Sequence, residues 1–558
     1  MPRPDGPGPG SAELMRVNAD GPHCPRLGHD ADQANGLPMN ADTEIELKLA
    51  VPETAWPELA GAVLRAGGRH AGPSRALRSI YFDTQDGRLR RNGFVLRIRS
   101  DGEAHVQTIK SGAGRHSMIG RGEWQTPIHG NTPVAVAGPN APLAKVLRAK
   151  DIDKLRPAFT VDVERDTYMF TQGETVVEIV LDKGVVRHLY TQESFSEVEF
   201  ELKQGSRQDL FALVREVGAA VPAVPSLTTK AERGYRIELG TSGRPITRVD
   251  YAPTRDMDAA AIARALVRPC LAALFDNLAM LMAGGTSEVL HQARVCVRRL
   301  RASLTLLGAA LGWRGGEAVR GELKWLSDCL GQAREYDVFV KSALARAEAA
   351  HPDAPGFEAL RAAFRRRQDE AAAGVGQALR SPRLLGLNLD MLARFDTLAP
   401  GDFEPGKTAG AGGEAAWRRL EKELRRRLKS LVRDADALEE LSAEKQHGIR
   451  IRAKKLRYML EPFADLVPPR RFRAIVAALQ AIQDELGDIN DDRVNCALAL
   501  AHARAHAGPP QADDDPAPAS LFAAGLIVAI CRERRPGGNQ AVAAARRKLL
   551  RSPALAFG

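Results

Sequence analysis

Residues 44–49 read Glu-Ile-Glu-Leu-Lys-Leu, and this strict alternation of charged with aliphatic side chains decides the fold of the first half of the chain. On a strand, period two sets Glu44, Glu46 and Lys48 on one face and Ile45, Leu47 and Leu49 on the other. The device recurs downstream: Glu197, Glu199, Glu201 and Lys203 alternate with Val198, Phe200 and Leu202, and Arg97 and Arg99 with Leu96 and Ile98. One such strand is ordinary half-exposed sheet with a solvated face. Three of them stack like charge on like charge, which is tolerable only where carboxylates and cations face one another. Clustered carboxylates suit a hard divalent metal, and clustered Arg and Lys suit phosphate oxygens.

Working outward, strand patterns continue from Thr43 to Leu239, at 95–99, 105–110, 160–170 and 176–181, with helical stretches near 56–66 and 208–217. Residues 1–41, rich in Pro and Gly, read as a disordered tail or as a stretch preceding a true start at Met39. Residues 241–253, with Gly243, Pro245 and Pro253, read as a linker. From 254 to 550 the pattern is helical, broken at 399–413 and 507–518. A chain of 558 residues exceeds one compact core, so a β-rich domain followed by an all-α one is the expected organisation.

The net charge of +10 is localised. Residues 254–558 hold 47 Lys/Arg against 37 Asp/Glu, whereas 42–240 hold 27 against 26. The helical half is thus expected to meet a polyanion. Six cysteines without a CxxC pair argue against a disulfide scaffold or a zinc site. No apolar run is read as reaching the ~20 residues of a membrane span, the longest candidate being 521–531, and the N-terminus has no apolar signal core. A reduced, soluble, cytoplasmic protein is the expectation.

The helical half carries an internal repeat. His291, Arg294, Arg298 and Arg301 form one helical stripe, with Arg299 beside it. A shift of 156 residues reaches His447, Arg450, Lys454, Arg457 and Lys455, and carries Leu330-Gly331 onto Leu486-Gly487 and Glu335 onto Asp491. A register held over two motifs indicates duplication. A basic stripe is usually a solvated face, but its duplication within a basic domain favours an anion site.

The ordered set Glu44–Lys48, "YFDT" (81–84), "GFVLRIR" (93–99), "TIK" (108–110), "RGEW" (121–124), "VERD" (163–166), "VEIVLDKG" (177–184), "EVEFELKQG" (197–205) and "TKAERGY" (229–235) resembles the CYTH domain of the triphosphate tunnel metalloenzymes. The resemblance covers residues 42–240 and implies an antiparallel eight-stranded β-barrel with flanking helices and a charged lumen. It implies hydrolysis of inorganic triphosphate with Mg²⁺ or Mn²⁺. By position, Arg97, Arg99, Lys110, Arg121, Arg165, Lys230 and Arg233 would grip the phosphate chain, and Glu44, Glu46, Lys48 and Glu123 would serve catalysis. Glu44, Glu46, Glu178, Asp182, Glu197, Glu199 and Glu201 would hold metal, with Asp182 and Glu201 equally readable as structural ion-pair partners.

"HQARVCVRRLR" (291–301) and "HGIRIRAKKLRY" (447–458), with "LGQAREYDV" and "LGDINDDRV", resemble the CHAD domain over 254–550. That resemblance implies two pseudo-symmetric four-helix bundles whose basic groove binds polyphosphate through His291, Arg294, Arg298, Arg299, Arg301, His447, Arg450, Lys454, Lys455 and Arg457. Association with polyphosphate granules follows as an implication. Glu335, Asp337, Asp491 and Asp492 are read as ordering these cations rather than holding metal. Rival readings are an adenylate cyclase or a nucleoside or thiamine triphosphatase of the same fold, and a non-catalytic granule adaptor. Nucleic-acid binding is disfavoured, since an aromatic content of 5% leaves few stacking platforms.

Overall fold

The computed structural model of the chain describes residues 45–102, 104–111, 122–135, 142–144, 146–404, 413–435, 441–506, 517–533 and 547; Glu44, Arg121 and the stretch 1–41 lie outside them. The described residues form ten strands: β1 (Ile45–Ala50), β2 (Arg69–His70), β3 (Arg75–Thr84), β4 (Phe94–Asp101), β5 (Ala104–Ser111), β6 (Glu123–Ile128), β7 (Leu155–Gln172), β8 (Thr175–His188), β9 (Thr191–Gln204) and β10 (Val224–Pro225). All pair antiparallel, in the order β10-β1-β9-β8-β7-β3-β4-β5-β6, with β2 on β7. Eight of them run six residues or more, which is the expected eight-stranded set; β2 and β10 add two residues each.

Register puts the charged faces together. Glu46 pairs with Glu201, Lys48 with Glu199, Glu197 with Asp182, Asp182 with Arg165, and Lys110 with Glu123. Paired residues in a sheet share a face, so these side chains point to one side. The opposite side is apolar. Leu47, Leu49, Ile179, Leu181, Val198 and Phe200 are buried beneath α1 (Trp56–Arg65) and α3 (Arg207–Gly218), in one core that continues into the helical half. Each large aliphatic or aromatic side chain so buried contributes about 1.5–3 kcal/mol.

Besides the short α2 (Arg88–Arg91), a further helix, α4 (Lys230–Glu238), lies against the charged face. Its start is set by a capping box, in which the Thr229 hydroxyl accepts from Glu232 N–H and the Glu232 carboxylate accepts from Thr229 N–H. Ala231 and Tyr235 pack on Tyr81, Phe159, Val161, Val163, Val186 and Phe195, filling the inner face beside the charged cluster. Gly234 permits this approach, since a Cβ there would lie 2.0 Å from the Phe159 ring.

The remaining helices are α5 (Ala259–Met282), α6 (Ser287–Leu311), α7 (Gly316–Val338), α8 (Ala345–Ala350), α9 (Phe357–Leu379), α10 (Pro382–Asp396), α11 (Gly413–Asp434), α12 (Ala443–Leu460), α13 (Pro469–Ala505) and α14 (Ala517–Glu533). The 156-residue shift lays α5 on α11, α6 on α12, α7 with α8 on α13, and α9 on α14. The duplication therefore covers four helical units per repeat, with α10 outside it. A π-helical segment, Phe339–Leu344, joins α7 to α8 where the second repeat runs on as one helix. The two repeats meet where α6 packs on α11 and α12, and α9 on α14.

Helix α5 corrects one expectation. Among the described residues it is long and apolar enough to cross a membrane by length and composition, with a mean hydropathy of 1.5. Arg264, Arg268 and Asp276 break its apolar run, so no uninterrupted apolar stretch marks it in the sequence. Its apolar residues are spent on the core, where Leu266, Val267, Cys270, Leu271 and Leu274 are fully buried.

The two halves are joined by packing as well as by chain. Asp396 on α10 pairs with Arg207 on α3 and Arg268 on α5, and Arg215 pairs with Asp390. The stretch expected as a linker lies along α5: Asn277 donates to Ile246 C=O and accepts from Ile246 N–H, each at 3.1 Å.

The seat of α4 is directly testable. Gly234→Ala should lower stability by about 1–3 kcal/mol through overpacking against Phe159, read as a lower denaturation midpoint. A variant as stable as the wild type would mean that α4 can lift without cost.

Candidate active site

The site begins with three carboxylates on neighbouring strands. Asp182 on β8 and Glu197 and Glu199 on β9 bring oxygens within 4.8 Å of one another. Asp182 and Glu197 have no exposed side-chain surface. Three buried carboxylates repel unless cations stand among them. Lys230 of α4 supplies the central one, its Nζ lying 2.7 Å from Asp182, 2.6 Å from Glu197 and 2.7 Å from Glu199. Lys48 reaches Glu199 at 2.6 Å, Glu46 at 3.3 Å and Glu197 at 3.7 Å. Arg165 grips Asp182 with two parallel bonds, from Nε at 2.7 Å and Nη2 at 2.5 Å.

The electrostatics follow from that packing. Burial alone would raise the Glu199 carboxyl, yet Lys230, Lys48 and Arg165 outweigh it and hold the group well below the usual carboxylate range. Asp182 is likewise held low against its burial, by Lys230 and Arg165. Burial would lower Lys48, and Glu197, Glu199 and Glu46 raise it well above its ordinary value instead. The ionised forms thus hold one another.

The other expected carboxylates lie outside this deep set. Glu46, Glu178 and Glu201 are partly exposed on the same face, with Lys203 at 2.5 Å from Glu201 and 3.7 Å from Glu178. Glu123 sits at the β6 end of the ladder, paired with Lys110 at 2.6 Å, which keeps its carboxyl low despite burial. The structure therefore separates a deep carboxylate trio, a rim group and Glu123, which the sequence pooled.

The cations are less well satisfied. Among the described residues, Arg97 Nε and Arg233 Nε are buried without a hydrogen-bond partner. Burial, together with Arg97 and Arg165, brings the Arg99 guanidinium down to about 10. Crowded guanidiniums with unused donors form a receptor for an oxyanion. Among the described residues Glu197 Oε2 is also buried without a hydrogen-bond partner, with Arg233 at 3.6 Å as an ion pair. An all-oxygen donor set with a free carboxylate lone pair fits a hard divalent cation such as Mg²⁺ or Mn²⁺.

The duplicated stripes meet in the helical half. Arg294 and Arg298 on α6 and Arg450, Lys454 and Arg457 on α12 crowd one another: burial and then Arg298, Arg450, Arg457 and Arg294 bring the Lys454 ammonium down to about 7. Burial, Arg298 and Arg334 lower His291. Among the described residues Arg294 Nη1 and His447 Nδ1 are buried without hydrogen-bond partners. The Leu-Gly motif of the first repeat has a steric reason here. A Cβ on Gly331 would come within 2.9 Å of Arg294 Nη1, and one on Gly487 within 3.8 Å of Arg450 Nε. Gly331 thus makes room for the first arginine of its stripe, whereas the separation at Gly487 is ordinary van der Waals contact.

Two expected members are placed differently. Arg299 is tied to Glu461 at 2.9 Å and to Thr247 C=O at 3.1 Å, serving the join between the halves. Lys455 lies near Arg301 and Arg427 of α11, and with its burial these guanidiniums lower its ammonium. Asp337 pairs with Arg334 and Lys341, and Asp492 with Arg346, partners outside the two stripes that these acids were expected to order, whereas Asp491 lies 3.7 Å from Arg450 of the second stripe. Arg334, Tyr458, which accepts from Arg298, and Glu461 carry no signal in the repeat; Arg334 and Tyr458 stand inside the motifs, but neither has a cationic counterpart that the 156-residue shift would mark.

A family model described as the CYTH domain matches residues 42–235, and one described as the CHAD domain matches residues 265–500. Over 199 residues, 34% of this chain, the sequence is 30% identical to an inorganic triphosphatase of Haemophilus influenzae; the match spans 54% of that protein, about half its length. The CHAD domain structure from Ricinus communis is 28% identical with a TM-score of 0.44, covering 54% of this chain and 95% of that one. A Hippeastrum protein described as an adenylyl cyclase with a dominant triphosphatase activity is 18% identical with a TM-score of 0.26, covering 35% of this chain and 96% of its own.

Removing the central ammonium tests the carboxylate trio as a cation site. Lys230→Ala should destabilise the protein by about 3–5 kcal/mol, as expected when one partner of a buried ion cluster is lost. Millimolar Mg²⁺ should recover more stability in the variant than in the wild type, followed by thermal unfolding with and without chelator. Equal metal responses in the two proteins would exclude the trio as that site.

Proposed function

We infer that this chain, which is a CYTH domain followed by a CHAD domain, cleaves inorganic triphosphate in its charged sheet and binds polyphosphate on its helical half. The observation that carries the first part is the pair of buried guanidinium donors without partners among the described residues, Arg97 Nε and Arg233 Nε, the latter side chain 3.6 Å from Glu197 of the carboxylate trio. A phosphate chain supplies the missing acceptors, and a metal supplies the charge that the carboxylates can hold. The 30% identity to an inorganic triphosphatase supports the same substrate class.

In this reading Arg97, Arg99, Arg165 and Arg233 hold the phosphate oxygens, with Lys110 and the undescribed Arg121 further along the chain of phosphates. Asp182, Glu197 and Glu199, with Glu46, Glu178, Glu201 and the undescribed Glu44 at the rim, would hold Mg²⁺ or Mn²⁺. When bound, that metal would stabilise charge developing on the phosphoryl oxygens and lower the pKa of a water. Lys48 and Lys230 keep the carboxylates ionised and in place. Water plus tripolyphosphate yields pyrophosphate and orthophosphate. Inner-face space beside the cluster is taken by Phe159, Phe195 and α4, which favours a bare phosphate chain over a nucleotide.

The test is phosphate release from tripolyphosphate, ATP, thiamine triphosphate and long polyphosphate, with Mg²⁺ and Mn²⁺ in turn. Tripolyphosphate should be preferred, with no release in excess chelator. Preference for ATP would move the reading to a nucleoside triphosphatase or cyclase, and no release from any substrate would favour a non-catalytic adaptor. Arg97→Ala should lower kcat/KM on the order of a hundredfold, the usual cost of one well-aimed oxyanion donor.

For the helical half, the Lys454 group carries the reading. An ammonium brought to about 7 by burial and four guanidiniums is charged below that pH and neutral above it, and a polyanion restores its proton. Polyphosphate affinity should therefore fall about tenfold between pH 6 and pH 8, from one proton taken up on binding. Lys454→Arg should flatten that dependence. Calorimetry in buffers of different ionisation enthalpy measures the proton directly, and a pH-independent wild type would remove Lys454 from the site.

A further inference from the structure

We propose that Asp276, on α5 of the helical half, is a positioning residue for the triphosphate site, setting α4 and with it the cations Lys230 and Arg233. The inference rests on the triphosphatase reading above, since it concerns the site where that reaction would occur.

The geometry is a single carboxylate spanning a short helix. Thr228, just before the Thr229 cap, donates its hydroxyl to Asp276 Oδ1 at 2.8 Å. Arg236, in the last turn of α4, donates from Nη2 to Asp276 Oδ2 at 2.6 Å. Lys230, Arg233 and Arg236 follow one another at three-residue spacing, so the anchor and the two site cations lie on adjoining turns. On its other side α4 rests on the sheet through Gly234 on Phe159 and through Tyr235, whose hydroxyl donates to Asp83 at 3.3 Å. That contact is a pivot, and Asp276 fixes the helix about it.

The anchor is itself rigidly held. The next residue, Asn277, clamps the Ile246 backbone in both directions, Arg299 of α6 donates to Thr247 C=O at 3.1 Å, and the Tyr251 hydroxyl meets Cys270 Sγ at 2.9 Å. The chain leaving α4 is thus fastened to the same helix that carries Asp276. Lys230 contacts three carboxylates within 2.7 Å, so a small rotation of α4 breaks contacts that short. The helical half is then a structural part of the triphosphate site, beyond any polyphosphate that it binds.

The test uses the full chain with Asp276→Ala and Asp276→Asn, alone and combined with Arg233→Gln. Asp276→Ala should raise KM for tripolyphosphate about fivefold or more with kcat changed less, and Asp276→Asn, which still accepts from Thr228, should recover part of the loss. The combined variant should show less than the product of the separate effects, because both changes act through α4. Calorimetry with a methylene-bridged triphosphate should reproduce the weaker binding. Unchanged KM and binding in Asp276→Ala, multiplicative effects in the combined variant, or a parallel loss of kcat and thermal stability would overturn the positioning role. A wild type that neither cleaves nor binds triphosphate would overturn the functional reading instead.

Discussion

Asp182, Glu197 and Glu199 are withdrawn from water on adjacent strands, and the rest of the first half is arranged around making that tolerable. An isolated carboxylate in a poorly solvated interior either takes up a proton or finds cations. Here the cations come from three separate elements: Lys48 from β1, Arg165 from β7 and Lys230 from α4. Each element must be held closely enough to deliver its charge. The steric demand at Gly234, the capping box at Thr229 and Glu232 and the apolar packing beneath the sheet are the means. Such a cluster stores no large net stability, because desolvation of each ion offsets much of the attraction. What it secures is a single arrangement of charges, with donors left over on the cationic side.

The helical half poses the opposite electrostatic problem and solves it less completely. Arg294, Arg298, Arg450, Lys454 and Arg457 are brought together by packing α6 against α12, and the acids near them meet only part of that charge. Glu461 holds Arg299 and Arg457, Asp337 holds Arg334 and Lys341, and Asp492 holds Arg346. The remaining like charges repel in a half-buried cleft, a cost that a polyanion would relieve on arrival. Duplication is a direct route to such a cleft, since two copies of one basic helix can face each other across the junction of the repeats.

Much of this was legible in the residues. The alternation at 44–49 and 197–203 identified strands and their charged faces, because period two leaves no other regular structure with that division. Lys48, Arg97, Arg99, Arg165, Glu197 and Glu199 were singled out on that ground or by motif, and the register brings them to one face. The 156-residue repeat was legible because helical stripes and the Leu-Gly pair keep their spacing. Less legible was α5, whose three charges interrupt an apolar run that packing nonetheless buries. Arg299 read as part of the stripe, but a helix turn of about 100° per residue points it toward Glu461 and Thr247.

The sequence by itself determined the strand and helix periods, the sign of charge on each face and the existence of two copies of one helical unit, since these depend only on local spacing. It could not determine which ions meet. That Lys230 reaches across 33 residues of sequence to Glu197, that Asp276 takes Arg236 from the other half, or that Gly331 makes room for Arg294, depends on distances between elements far apart in the chain. Those distances are set by close packing of the apolar faces, and a charge pair gains or loses most of its energy over an ångström or two. Only the tertiary structure decides them.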